Sequence, residues 1–153
     1  MKILWPGKTR HRAVKEIETD YLLKIQRMAR LEVIETKEAR GWSEKEEDKI
    51  KEIETQGIEK HLHDDYIICL SDKGKMMSSN QLAEFLRKTE LNVPHPMSFV
   101  IGGFRGFKDR LLARADILLS LSKMTFSHEL TRIMLLEQVY RSLNIIQGNP
   151  YAK

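Results

Sequence analysis

One cysteine in 153 residues excludes an internal disulfide, because a bridge needs two thiols. That thiol, Cys69, lies in the apolar run Tyr66-Ile67-Ile68-Cys69-Leu70, where it reads as a small buried hydrophobe. No apolar run approaches the ~20 residues that cross a bilayer. The opening Met1-Lys2-Ile3-Leu4-Trp5 is too short for a signal h-region and is broken by Pro6-Gly7. A cytoplasmic protein without a membrane partner is therefore expected. Neither G-x-G-x-x-G nor P-loop spacing occurs, which disfavours a dinucleotide or nucleoside-triphosphate site. No Ser/His/Asp or Cys/His set has spacing suited to nucleophilic catalysis. Paired carboxylates for hydrolysis are not evident. His61-x-His63 has no further ligands near it, so no metal is expected.

What remains is an ordinary globular composition, 41% hydrophobic and 31% charged. With no repeat, low-complexity stretch or linker, residues 1–153 read as a single domain large enough to bury a core. The net charge of +4 is unevenly placed. Residues 1–30 carry eight basic and three acidic side chains, residues 31–70 six and twelve, and residues 71–153 twelve and seven. The basic C-terminal region suits a polyanionic partner, although many basic proteins bind no nucleic acid.

Periodicity predicts alternating strands and helices. Lys2–Trp5 reads as a strand stopped by Pro6-Gly7. Val14, Ile17, Tyr21, Ile25 and Met28 mark one face of a helix over 12–30. Residues 31–36 read as a strand. Ser43 and Glu46 match a capping box that opens a mostly polar helix with Ile50, Ile53 and Leu62 on its apolar side. Tyr66–Leu70 and Met97–Ile101 read as buried strands, with a loop at 71–75 after the first. Ser78 or Ser79 caps a helix to about Lys88. A short helix from Phe107 to about Ala115 precedes a strand at Ile117–Leu121. A final helix has Ser127 as N-cap and Gly148 beyond its end. This order predicts an α/β fold with a largely parallel sheet flanked by helices. Ligands then bind beyond the carboxyl ends of the strands.

Two such strand ends are rich in small residues. Gly102-Gly103-Phe104-Arg105-Gly106 allows close approach of backbone to a ligand, or serves as a plain strand-to-helix turn. Ser120-Leu121-Ser122-Lys123-Met124-Thr125 offers hydroxyls and amides, or serves as a loop and N-cap. Together they suit a flat adenosine ligand held mainly by backbone groups. Arg132 follows His128 by four residues and shares its helix face. It is placed either to position an RNA phosphate or to stand as a solvated surface arginine. Glu137 and Arg141 have the spacing of an exposed ion pair.

These residues taken together resemble a known family. The pattern is Ile101-Gly102-Gly103-x-x-Gly106, then Leu119 through Phe126, then His128 and Arg132, then Glu137-Gln138-Val139-Tyr140-Arg141, and finally Pro150-Tyr151. It is similar to the RlmH family, bacterial large-subunit ribosomal RNA pseudouridine methyltransferases of the SPOUT class. The resemblance spans the whole chain and is strongest from Tyr66 onward. It implies a SPOUT-type α/β fold with a deep trefoil knot in the C-terminal part, about residues 66–153, an exception to the usual connection rules. It implies S-adenosylmethionine as cofactor, contacted by Leu70, Gly102, Gly103, Leu121, Ser122, Lys123, Met124, Thr125 and Phe126. Arg132, Tyr140 and Tyr151 are the implied substrate-positioning residues. The implied reaction is methylation of N3 of a pseudouridine in 23S rRNA within assembled ribosomes. The implied active unit is a homodimer joined through the final helix, the partner's tail completing each site. No general base is implied by the residues. Three places depart from the family pattern: Phe104 and Arg105 inside the glycine turn, Ser127 and Glu129 around His128, and Ala152 in the tail, where a histidine is usual. Two other readings keep the fold: an RNA-binding protein without catalysis, and a methyltransferase acting on another RNA such as tRNA.

Overall fold

A computed structural model describes residues 1–152. Five parallel strands form one sheet, with helices on both faces. In chain order the elements are β1 (Lys2–Pro6), α1 (Arg12–Gln26), β2 (Glu32–Thr36), α2 (Glu47–Glu59), β3 (Tyr66–Met76), α3 (Ser79–Asn92), β4 (Met97–Val100), α4 (Asp109–Arg114), β5 (Ile117–Ser120) and α5 (His128–Gln147). Short 3-10 turns at Glu44–Glu46 and Pro150–Ala152 precede α2 and follow α5. The strand order is β2-β1-β4-β3-β5.

Successive strand residues point to opposite faces, so each inner strand feeds two cores. Ile3, Trp5, Ile68, Phe99 and Ile101 pack with Leu82, Leu86, Leu135, Leu136 and Val139, beneath α3 and α5. Leu4, Ile67, Cys69 and Val100 pack with Ile58, Leu62 and Leu111, beneath α2 and α4. Burial on both sides explains the unbroken apolar runs of β3 and β4. Each fully buried Leu, Ile or Phe contributes about 1.5–3 kcal/mol. Cys69 is fully buried, as its apolar setting suggests, and burial pushes its thiol up to about 12.

The helix boundaries follow local chemistry. Ser78 and Gln81 cap α3 reciprocally: Gln81 N–H donates to Ser78 Oγ at 3.2 Å, and Ser78 N–H donates to Gln81 Oε1 at 2.8 Å. At α5, Leu130 N–H donates to Ser127 Oγ at 3.3 Å. That helix ends at Gly148, whose φ of 70° is the left-handed conformation a C-terminal stop requires. The first helix is shorter than its periodicity predicts, ending at Gln26. Met28 and Ala29 N–H both donate to Ile25 O, turning the chain toward β2.

Residues 71–75, expected as a loop, belong to β3. Leu70 and Lys75 both register with Leu119 of β5, so the intervening residues bulge and the chain returns to the same partner. Gly74 permits this return: a Cβ there would lie 2.6 Å from the Leu118 carbonyl carbon.

The acidic and basic segments of the sequence meet inside the fold. Arg110 of α4 pairs with Glu52 at 2.7 Å and Glu59 at 3.0 Å, both on α2. Lys108 pairs with Asp48 of the same helix. Part of the C-terminal basic excess is thus matched internally.

Two glycines separate packing from propensity. Gly74→Ala forces a methyl against immovable backbone and should cost about 1–3 kcal/mol in urea unfolding. Gly57→Ala lies within α2, where a Cβ would meet Thr36 at an ordinary 3.5 Å; it should be neutral or stabilising by up to about 1 kcal/mol. Equal effects at both positions would show that the β3 return is not tightly packed.

Candidate functional site

Because the sheet is parallel, β3, β4 and β5 deliver their carboxyl ends to one edge. There Leu70–Lys73, Ile101–Phe107, Leu119–Ser122 and Met124–Phe126 enclose a cavity of about 800 Å³, closed by Ser127, His128 and Thr131 at the start of α5. That size suits a cofactor. Leu70, Ile101, Leu112, Leu119, Leu121 and Phe126 give it apolar walls. Phe104 and Met124, largely exposed, stand at its rim.

The small residues have distinct jobs. Ser120 Oγ donates to Ser122 O at 2.8 Å, and Met124 N–H donates to Ser122 Oγ at 3.0 Å. These hydroxyls hold the 120–126 loop in shape. In the glycine turn, Gly106 N–H donates to Gly103 O at 3.0 Å and Gly106 has φ 77°. A Cβ on Gly102 would lie 3.1 Å from Gly106 Cα, so the turn is tight. A Cβ on Gly103 would overlap the Glu54 carboxylate and approach Pro6 Cγ to 3.2 Å. Residue 103 is therefore a glycine because of what lies behind the turn as well as in front of it.

Behind it is a second, smaller recess of about 200 Å³. Pro6, Glu38, Ala39, Trp42, Ile50 and Glu54 line it together with Gly103, Phe104, Arg105 and His128, which also line the cavity. Glu54 is 5% exposed. Its Oε1 accepts Ala39 N–H at 3.2 Å, while Oε2 is buried without a hydrogen-bond partner. Burial pushes this carboxyl above the usual glutamate range, and the neighbouring Glu38 adds to the rise. His128 is pushed down by burial and by Arg132, which favours the neutral imidazole at neutral pH.

Of the residues singled out in the sequence, Leu70, Gly102, Gly103, Leu121, Ser122, Met124, Thr125 and Phe126 line the cavity. Lys123 does not. Arg132 is buried rather than solvated. Its Nη1 donates to Thr9 Oγ1 at 2.8 Å and its Nη2 to Pro6 O at 2.7 Å. The guanidinium carbon lies 5.0 Å from the Trp5 ring centroid. Thr9 passes its own hydroxyl hydrogen to buried Glu18, which Lys15 approaches to 2.5 Å. Arg132 thus faces the protein interior and anchors α5 to the β1–α1 connection. Tyr140 and Tyr151 pack together with centroids 4.7 Å apart, and Tyr21 lies 6.1 Å from Tyr140. Burial, aided by a hydrogen bond with Tyr151, pushes Tyr21 up to about 12. Twelve residues of helix, about 18 Å, separate His128 from Tyr140. The tyrosine cluster is therefore remote from the cavity of its own chain. Lys153 lies outside the described residues.

Comparison with known proteins identifies the scaffold. The model of a family described as "Predicted SPOUT methyltransferase" matches residues 1–152. The chain belongs to that family. It is 39% identical over 155 residues to a protein of Clostridium kluyveri, covering 99% of this chain and 98% of the relative. A protein of Alkaliphilus oremlandii is 39% identical with the same coverage. One from Thermodesulfovibrio yellowstonii is 38% identical over 150 residues, covering 98% and 96%. Each of these relatives is named ribosomal RNA large subunit methyltransferase H. Among the described residues, no helix is long and apolar enough to cross a membrane.

Glu54, Trp42 and Thr131 joined these two sites unannounced by motif, whereas residues 71–73 follow Leu70 at a strand end where a ligand was expected. Glu54 had one available signal: it falls four residues after Ile50 and four before Ile58, inside the apolar stripe of α2. The anchoring role of Arg132 yields a test. Arg132→Met should lower stability by roughly 2–4 kcal/mol, because it leaves Pro6 O and Thr9 Oγ1 without the donor they have here. Arg132→Lys should recover part of that, one ammonium being unable to span both acceptors in the same plane. Urea unfolding of both variants checks this; a loss below about 0.5 kcal/mol for Arg132→Met would remove the anchor from the account.

Proposed function

We propose that this protein transfers the methyl group of S-adenosylmethionine to N3 of a pseudouridine in large-subunit (23S) ribosomal RNA. The observation that carries the reading is the 800 Å³ cavity at the ends of β3, β4 and β5, in a chain that matches the SPOUT methyltransferase family throughout its length. Full-length relatives named for ribosomal RNA methylation supply the substrate class.

The residues present fit the cofactor. The cavity has apolar walls for a flat adenosine, and tight glycine turns bring backbone groups to its surface. Leu70, Gly102, Gly103, Leu121, Ser122, Met124, Thr125 and Phe126 would hold it. When bound, the cofactor supplies a methyl group already activated by its sulfonium. The chain's task is then to orient the acceptor and exclude water. Ile101, Leu119, Leu121 and Phe126 provide the dry surface. Neutral His128 and Thr131 stand at the opening, where the RNA arrives. Arg132 supports the site from beneath, by fixing the start of α5.

The finer architecture belongs to the same proposal. Residues from about 66 onward form a deep trefoil knot within a single domain, 1–153; the support for it is the SPOUT family match over residues 1–152. The active unit is a homodimer in the cytoplasm, where assembled ribosomes are found. Its support is the distance between the cavity and the Tyr140–Tyr151 cluster: a second copy, joined through α5, would bring its own tail to complete the site.

Two experiments test this reading. Titration calorimetry should detect S-adenosylmethionine binding, and ribosomes lacking the modification should accept methyl groups, with nucleoside mapping placing them on N3 of a pseudouridine. Ribosome binding without transfer would instead make this an RNA-binding member of the fold, and transfer to tRNA alone would redirect the substrate. For the dimer, Gly103→Leu and Tyr151→Ala should each reduce transfer at least tenfold alone. Co-expressed, they should regain up to a quarter of wild-type activity, because each mixed dimer then has one intact composite site, roughly as expected for statistical subunit pairing. No recovery would place the tail outside the active site.

A further inference from the structure

Residue 103 is not a glycine for the sake of its backbone conformation. Gly106 takes a left-handed φ of 77°, but Gly103 lies outside that region, so its backbone would accept most L-residues. What a side chain there would meet is Glu54. A Cβ on Gly103 would overlap Glu54 Oε2, lie 3.0 Å from the carboxyl carbon and approach Pro6 Cγ to 3.2 Å. Neither Glu54 nor Pro6 lines the cofactor cavity, so that direction leads away from the cofactor. One α-hydrogen of the glycine follows the same direction and points at Oε2, a weak Cα–H···O contact. The other oxygen, Oε1, accepts Ala39 N–H at 3.2 Å, and Oε2 has no conventional donor. A buried carboxylate is a costly wall where a hydrocarbon would pack more cheaply. Fixed at one oxygen by backbone, it sets with the other how closely the turn can approach. The next residue, fully buried Thr55, holds the far end of the same loop, its Oγ1 accepting Lys108 N–H at 3.1 Å. Arg105 pairs with Glu47 at 3.9 Å, and Lys108 Nζ with Asp48.

We propose that Glu54 is a positioning residue for the cofactor: its carboxylate sets how far the 102–106 turn stands from α2, and hence where the Gly102 and Gly103 backbone meets the cavity. The inference rests on the methyltransferase reading and adds to it the side chain that holds the cofactor-binding backbone in place. A turn already held in its binding position raises affinity, because the ligand need not order it. Glu54 acts only through Gly103 and touches no ligand itself. The pairing is reciprocal. A carboxylate of this length at position 54 demands glycine at 103, and a shorter side chain at 54 makes room for alanine there.

Titration calorimetry with S-adenosylmethionine on a double-mutant cycle tests this. Gly103→Ala adds a methyl outside the cavity, so a loss of cofactor affinity must come from displacement of the turn. Glu54→Ala and Gly103→Ala should each weaken binding roughly tenfold. The double variant should also be roughly tenfold weaker than wild type, where independent effects would give roughly a hundredfold. Glu54→Asp, one methylene shorter, replaces Glu54→Ala in the cycle if that variant does not fold. Glu54→Gln keeps the length of the side chain and an acceptor for Ala39 N–H; its affinity should stay within about threefold of wild type, and Gly103→Ala should remain harmful beside it. In methyl-transfer assays Glu54→Ala should raise KM for the cofactor and leave kcat at saturation within about twofold of wild type. A general loss of stability does not produce that split. With wild-type protein that binds the cofactor, three results would overturn the proposal: additive losses in the cycle, wild-type affinity in Gly103→Ala, or Glu54 variants that lose stability in urea while keeping cofactor affinity. Wild-type protein that does not bind the cofactor would instead defeat the underlying reading, and the role of Glu54 with it.

Discussion

The site depends on one buried cation. Arg132 projects from the first turns of α5 and reaches across to Pro6 O and Thr9 Oγ1. Glu129, three residues earlier, accepts Arg10 N–H at 2.6 Å and His11 N–H at 3.4 Å. The β1–α1 connection is thereby clipped to the N-terminal end of α5 at two levels. Thr131, which helps close the cavity, lies between those clips in sequence, and His128 immediately precedes the first. A guanidinium suits this position because its planar fork serves two acceptors at once while its face rests on Trp5. Desolvation would lower its affinity for its proton, but arginine's basicity is high enough to keep it charged.

The strands and the last helix were legible because burial leaves a plain mark on sequence. Tyr66–Leu70 and Met97–Ile101 are apolar on both sides, and Ser78 and Ser127 announce the helices they cap. The return of β3 was not legible. Residues 71–76 are mostly polar, and only the register with β5 makes them strand. Arg132 looked like a surface residue because helical spacing tells which residues share a face, not what that face meets. Its partners lie 123 and 126 residues away in sequence. The cavity was legible as two small-residue runs at strand ends, although its serines turned out to shape the loop. Glu54 was obscured by an acidic neighbourhood, although its place between Ile50 and Ile58 marks it as the carboxylate on the buried stripe.

Charge tells a similar story. The acidic middle and the basic C-terminal region looked like separate surfaces, one of them suited to a polyanion. In the fold, α2 and α4 lie side by side, and Arg110 spans two glutamates of α2. Such exposed pairs stabilise little. Their larger effect is to set orientation, since they dock the otherwise polar α2 where Glu54 meets the glycine turn. Sequence charge is a poor guide to surface potential when oppositely charged helices are neighbours.

The strand order also bears on how the chain is made. β1 lies between β2 and β4, and Lys2 registers with Ser98. One edge of β1 thus waits for a partner that emerges from the ribosome almost a hundred residues later. At about 5–20 residues per second, that interval is of the order of 5–20 seconds. During it, Ile3, Leu4 and Trp5 belong to an incomplete sheet with an open edge. β5, added last and beside β3, closes the opposite end of the sheet. The middle of the molecule is therefore completed late in synthesis, and the nascent N-terminal segment has reason to be shielded until Met97–Val100 arrives.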